Sequence, residues 1–200
     1  ARILELSGNI SDALSTYKEL PSEKEKNSFY LLKIGILEER LGNIDEAEKY
    51  FRKALKFSKG EIKEDAVYHL VYLLVKNKKV NEASNLFSDF KKERKDLSLR
   101  LKFIEGRILC AKGEFEKTMK IVKKELKKDL STEMERDFLV LGGLAKMQDE
   151  KHPEAVHYFQ KCIDIARKEK DILHEAMFMN NKGLSLLRID SYKEALEELE

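Results

Sequence analysis

Gly42-Asn43-Ile44-Asp45-Glu46-Ala47-Glu48-Lys49-Tyr50-Phe51-Arg52-Lys53-Ala54-Leu55 decides the fold of this 200-residue chain. A glycine opens the stretch and a small residue follows five places later. An aromatic stands four places after that, and another small residue three further on. Ile44, Ala47, Phe51 and Ala54 recur at spacings of three and four, which draws one apolar stripe along a helix. Lys49, Arg52 and Lys53 point elsewhere. Upstream, Leu31, Ile34, Gly35, Leu37 and Leu41 form a second helical stripe. Gly42-Asn43 lies between the two, and glycine or asparagine there takes the left-handed conformation that ends a helix. The local prediction is helix, tight turn, helix. Gly35 and Ala47 carry no bulk, so the paired helices approach closely, and Phe51 fills the gap against whatever follows. A fully buried phenylalanine of this kind stabilises by roughly 1.5–3 kcal/mol.

The pattern recurs. Aligned on the small residue, the copies are Ala13 with Tyr17, Ala47 with Phe51, Ala83 with Phe87, Thr118 with Val122, Ala155 with Phe159 and Ala195 with Leu199. The steps between them are 34, 36, 35, 37 and 40 residues. The turn glycine is present as Gly8, Gly42 and Gly113, and is replaced by Lys78, Glu150 and Asp190. A second glycine lies seven residues upstream in four copies, at Gly35, Gly106, Gly143 and Gly183. The copies run approximately 1–26, 27–60, 61–96, 97–130, 131–170 and 171–200. Breaks between them are expected at Pro21-Ser22-Glu23-Lys24, at Ser58-Lys59-Gly60 and at Lys127 to Thr132. Ser131 or Thr132 is a helix cap there. Pro153 fits just inside a helix start, where its missing N–H costs nothing. One such hairpin cannot bury its apolar faces alone, so the copies must stack. Stacking predicts an all-α chain, a single solenoid of antiparallel helix pairs over residues 1–200. The first copy holds only the tail of a first helix and Glu200 falls inside a second one. The expectation is a fragment of a longer array.

Composition agrees. Charged residues make up 38% and hydrophobic ones 42%, with only two prolines and nine glycines, so helix formers dominate. The net charge of +2 supplies no overall basic field for nucleic acid. Lys91-Lys92-Glu93-Arg94-Lys95 and Lys123 to Lys128 are basic runs, but without interleaved aromatics they read as solvated helix ends. No apolar run approaches the ~20 residues that a membrane span needs. Cys110 and Cys162 stand in separate copies with no Cys-x-x-Cys spacing, which predicts buried free thiols and a reducing, cytoplasmic setting.

Glycine in mid-first-helix, glycine at the turn, then alanine, aromatic and alanine with a step near 34 resembles the tetratricopeptide repeat. Gly35, Gly42, Ala47, Phe51 and Ala54 carry the likeness best, and Gly183, Tyr192 and Ala195 carry it again. The chain departs from that pattern in having no tryptophan and no proline closing any copy. The resemblance implies a right-handed α-α superhelix whose first helices line a concave surface. It places Phe29, Leu32, Ile36 and Arg40 on that surface, then Asp65, Tyr68, Tyr72 and Lys76, then Arg100, Phe103 and Arg107. Asp137, Val140, Leu144 and Gln148 follow, and then Met177, Asn180, Leu184 and Arg188, with Asn181 beside them. Glu105 and Lys182 fall at places the family usually buries, while Leu101, Ile104 and Ile108 suggest a first helix rotated by one residue in the fourth copy. Leu32, Ile36, Asp65 and His69 occupy the places where some members hold a carboxylate-gripping set, so that activity is not expected.

Nothing in the sequence points to an enzyme, a cofactor or a metal. His152 and His157 are five apart and share no helix face, and no His-Glu-x-x-His or nucleophile elbow occurs. Gly142-Gly143 lacks the further glycine and lysine of a phosphate loop. His69 reads as a helix-face residue. The expected function is a protein–protein interaction scaffold that holds a peptide or helix of a partner in its groove. Its contacts would be Tyr68, Tyr72, Arg100, Phe103, Arg107, Leu144, Asn180, Asn181 and Arg188, since aromatics beside arginines make interaction hot spots. A peptide-sensing module of a larger regulator and an array that self-associates through open ends are the alternatives.

Overall fold

Gly42 sits at φ +80°, and the turn it makes is repeated through the computed structural model, which describes residues 8–19, 27–94 and 96–189. Asn43 N–H donates to the Glu38 carbonyl at 2.9 Å and Gly42 N–H to that of Glu39 at 3.0 Å. These two bonds close the helix in the Schellman manner. Gly113 repeats the turn at φ +77°, and so do the two residues that replace glycine, Lys78 at φ +61° and Glu150 at φ +57°. Lys79 N–H reaches the Leu74 carbonyl and Lys151 N–H that of Lys146, both at 2.9 Å. The phase of the repeat therefore imposes the left-handed conformation even where the side chain opposes it. Lys170, at φ +57°, ends another helix in the same way.

Ten helices form among the described residues: α1 (Ile10–Lys18), α2 (Ser28–Arg40), α3 (Ile44–Phe57), α4 (Gly60–Lys76), α5 (Val80–Lys92), α6 (Leu99–Ala111), α7 (Phe115–Glu125), α8 (Thr132–Gln148), α9 (His152–Glu169) and α10 (Ile172–Arg188). No strand occurs among the described residues. Ser131 caps α8 by accepting from Met134 N–H, and Pro153 lies in the first turn of α9. Asp190, Tyr192, Ala195 and Leu199, assigned to the last second-helix, lie outside the described residues. So do the linker Pro21 to Lys24 and the residues before Gly8.

The chain divides into two compact units, Ala1–Asp96 and Leu97–Glu200, at the boundary between the third and fourth copies. In the first unit α1 packs on α2, α2 on α3 and α4, α3 on α4, and α4 on α5. Phe51 is 0% exposed. A methyl group built on Gly35 would come within 2.6 Å of its ring, and His69 of α4 stacks against the ring at 5.4 Å. Phe51 thus fills the space between one helix pair and the next. Glu38 is buried too, at 1% exposure, and is satisfied by Lys18 Nζ at 2.5 Å and Asn43 Nδ2 at 2.8 Å, as a buried carboxylate must be. On the outer side the charges join successive copies. Arg52 pairs with Glu48 and Glu82, and Lys79 with Glu48, at 2.6–2.8 Å. Arg94 is not a bare helix-end cation: it lies 4.5 Å from the Phe90 ring centroid and pairs with Glu64 at 2.8 Å.

In the second unit α6 packs on α7 and α8, α7 on α8, α8 on α9, and α9 on α10. Gly143 and Phe159 repeat the Gly35–Phe51 contact, at 2.7 Å from a built methyl. The degenerate copy does it differently. Val122 is too short to cover Gly106, and Leu141 of α8 lies over that glycine instead, at 2.6 Å. The Thr118 hydroxyl that stands where alanine is usual is fully buried and donates to the Glu114 carbonyl at 3.1 Å. Leu101, Ile104, Gly106 and Ile108 are all buried along α6, while Glu105 and Lys182 are half-buried.

Candidate functional site

The residues expected to bind a partner lie on the first helices, and the two units present them separately. In the first unit α4 carries Tyr68 and Tyr72, one helical turn apart. Their rings lie 6.3 Å apart and 20° from parallel, and both are half-buried. On α2, Phe29 is 44% exposed and Ile36 half-buried, but Leu32 is buried at 6%. Glu39, beside them, has its carboxyl pushed up by burial and partly restored by the Lys76 charge. This face is aromatic and of mixed sign.

In the second unit Arg100 is exposed in the first turn of α6, and Arg107 is half-buried near its end. Phe103, expected to face a ligand, does not. It is 5% exposed and meets Phe138 of α8 edge-on at 5.9 Å. The reason is tertiary: α6 and α8 close over the pair, and burying two phenylalanines outweighs presenting one. Phe103 instead supports Arg107, whose guanidinium carbon lies 5.9 Å from its ring centroid. Leu144 is half-buried on α8. On α10, Asn180 and Arg188 are exposed and Asn181 is half-buried, its carbonyl accepting from the Ser185 hydroxyl at 3.1 Å. Two neighbours on that stripe are large, apolar and exposed, Met177 at 46% and Leu184 at 45%. The family register had placed them there, but only the structure shows how bare they are.

Asp137 of α8 feels charges from more than one helix. Its carboxyl is half-buried, and no hydrogen bond to it forms among the described residues. Burial, with Glu133 adding to it, raises its pKa to about 6. Arg136, Arg107 of α6 and His174 of α10 act in the opposite sense. Arg136 is committed elsewhere, holding Glu169 at 3.0 Å and Asp171 at 3.4 Å across the turn between α9 and α10. Asp171 in turn caps α10 through His174 N–H and contacts His174 Nδ1 at 2.6 Å.

Elsewhere, Leu126, Pro153, Glu154, His157, Tyr158 and Lys161 line a surface cavity of about 430 Å³ beside α9. Cys110 and Cys162 are buried free thiols, and burial raises both, Cys162 to about 12. Neither is poised as a thiolate. Among the described residues no group of three or more histidine, cysteine, aspartate or glutamate side chains is arranged to hold a metal ion. None of their helices is long and apolar enough to cross a membrane.

Comparison with known proteins follows the same lines. The tetratricopeptide repeat model matches residues 30–60, the stretch with the Gly35–Phe51 contact. No curated protein matches the sequence. A tetratricopeptide repeat protein from Parabacteroides merdae superposes with a TM-score of 0.75 at 17% identity, over 98% of this chain and 72% of that one. PilW, a type IV pilus biogenesis factor, gives 0.74 at 15% identity, over 98% of this chain and 86% of that one. MamA from Desulfovibrio magneticus gives 0.57 at 18% identity, over 86% and 90%. At these identities the likeness concerns the fold. The chain thus carries a tetratricopeptide repeat at residues 30–60 and shares the fold of tetratricopeptide repeat proteins over nearly all its length.

Proposed function

We propose that the chain is a protein-interaction scaffold whose first helices grip a peptide or helix of a partner, and that it works by holding rather than by catalysis. The observation that supports this best is the stripe along α10. Met177 and Leu184 are nearly half exposed, with Asn180 between them and Arg188 beyond. Met177 and Leu184 stand seven residues apart, two turns along one face with a polar residue between, the spacing at which the anchors of helix-in-groove recognition repeat. The asparagine amides add a donor and an acceptor each for a peptide backbone. In the first unit, Tyr68 and Tyr72 offer rigid rings with little rotamer entropy to lose on binding. Cys110 and Cys162 as free thiols favour a reducing, cytoplasmic setting.

Leu144→Glu and Tyr72→Glu test the reading, one in each unit. Both side chains are half-buried, so the new carboxylate reaches water. Partner capture should be lost with helicity and melting unchanged. Capture that persists in both variants places the site on another surface. Phe103 is unsuitable for this test, because a charge there would unfold the α6–α8 contact.

A further inference from the structure

We infer that a second surface of the second unit, made by its second helices α7 and α9, binds single-stranded nucleic acid. Lys120, Lys123, Lys124 and Lys127 recur at helical spacing and form one stripe that runs off the end of α7. All four are exposed, and among the described residues no carboxylate lies within ion-pair distance of any of them. Leu126, beside Lys127, forms one wall of the cavity of about 430 Å³ whose other walls come from α9, with Tyr158, His157 and Lys161 among them. The basic run has no aromatic of its own in the sequence, and the fold supplies one. Tyr158 is seated on Gly142, where a built methyl would come within 2.8 Å of its ring. That glycine is not the one the repeat asks for, which is Gly143, and Ile34, Glu105 and Lys182 stand in its place in other copies. Gly142 therefore makes room for the ring, whose remaining surface lines the cavity. Of the carboxylates on these faces, Glu154 is held by the buried Lys146 at 2.7 Å, Asp164 accepts from Gln160 at 2.9 Å, and Glu116 stands at the far end of the lysine stripe. With Lys161 the stripe leaves the face net positive, although the whole chain carries only +2. The chemistry favours phosphate over carboxylate: the stripe is all lysine, point charges that suit phosphate, with no arginine fork for a carboxylate. A basic track beside a ring that an unpaired base can stack on is how single strands are held without sequence preference. A duplex keeps its bases from the ring, and a membrane surface does not enter a recessed cavity.

A short fluorescein-labelled oligouridylate, titrated with the whole chain by fluorescence anisotropy at several salt concentrations, tests this. It should bind more tightly than a duplex of the same length, with log K falling linearly against log salt. K123Q combined with K127Q, both at exposed positions, should weaken binding and reduce that slope by about 1.4, which is two phosphate contacts at about 0.7 each. Y158L should weaken binding about tenfold and Y158F should not, since stacking needs the ring and not the hydroxyl. A strand with abasic sites should lose the same factor against the unaltered chain, which reads the stacking if Y158L folds poorly. No binding, binding indifferent to the two lysines, equal affinity for the duplex or the abasic strand, or preference for polyglutamate or for anionic phospholipid vesicles each overturns the inference. Partner capture on the first helices is a separate matter, and these variants should leave it intact.

Discussion

Gly35→Ala sets two effects of opposite sign against each other at one atom. Alanine in mid-helix is favoured over glycine by about 0.8–1 kcal/mol, so on propensity alone the change stabilises α2. The structure opposes this. The new methyl would lie 2.6 Å from both Cδ1 and Cε1 of Phe51. The ring cannot retreat, because it is 0% exposed and stacked on His69 at 5.4 Å. Overpacking of this kind costs about 1–3 kcal/mol, so the net expectation is a loss of up to about 2 kcal/mol. Phe51→Ala alone should cost about 3–5 kcal/mol, from lost burial and the cavity left between the repeats. With the ring gone, Gly35→Ala should change sign and stabilise. The double-mutant cycle should then show a coupling equal to the overpacking cost, about 1–3 kcal/mol. Urea unfolding followed by far-UV circular dichroism gives the four midpoints. Amide exchange along α2 reports the same cycle locally, which suits an array whose copies can unfold separately. A stabilising Gly35→Ala in the native background would refute the close approach, and with it the way successive copies are held together here.

Other outcomes follow from single positions. Lys78→Gly and Glu150→Gly should each stabilise by about 1 kcal/mol in thermal unfolding, since both residues hold a left-handed conformation that suits glycine; Gly42→Ala should lose a similar amount. Leu141→Ala should cost about 2–4 kcal/mol, because Leu141 lies closest over Gly106, with Ile121 only at the edge, in the copy that has Val122 in place of an aromatic. Asp137 has its pKa raised from 3.8 to about 6 in the folded chain. Its contribution is therefore fully present below about pH 4 and is lost as pH rises through 6. Asp137→Asn should raise the melting temperature at neutral pH, by the equivalent of about 1–2 kcal/mol after solvent screening, and leave it nearly unchanged at about pH 4.

What could be read from the sequence was whatever a residue does within its own copy. Glycine at 35, alanine at 47 and phenylalanine at 51 specify a close approach and its filler, and the structure has that contact. Phase also carried information: Lys78 and Glu150 were placed at the turn by counting alone, and both adopt the glycine-like conformation. The turn at Lys170 had no such signal, as neither glycine nor asparagine marks it. Phe103 was misplaced because a family register says which face a residue is on, not what packs over it. Only the approach of Phe138 from the next first helix buries it. The same limit hid the setting of Asp137. Its place along α8 was legible, but the charges that act on it include Arg107 of α6 and His174 of α10, which no local pattern connects.

The claim that first helices carry the function is tested most directly by mapping a captured partner peptide with amide chemical shifts of the isotopically labelled chain. The account predicts perturbations concentrated on α6, α8 and α10, strongest around Arg107, Leu144, Met177 and Leu184, with α7 and α9 little changed. Shifts centred on α7 and α9, around the cavity beside Tyr158, would contradict it.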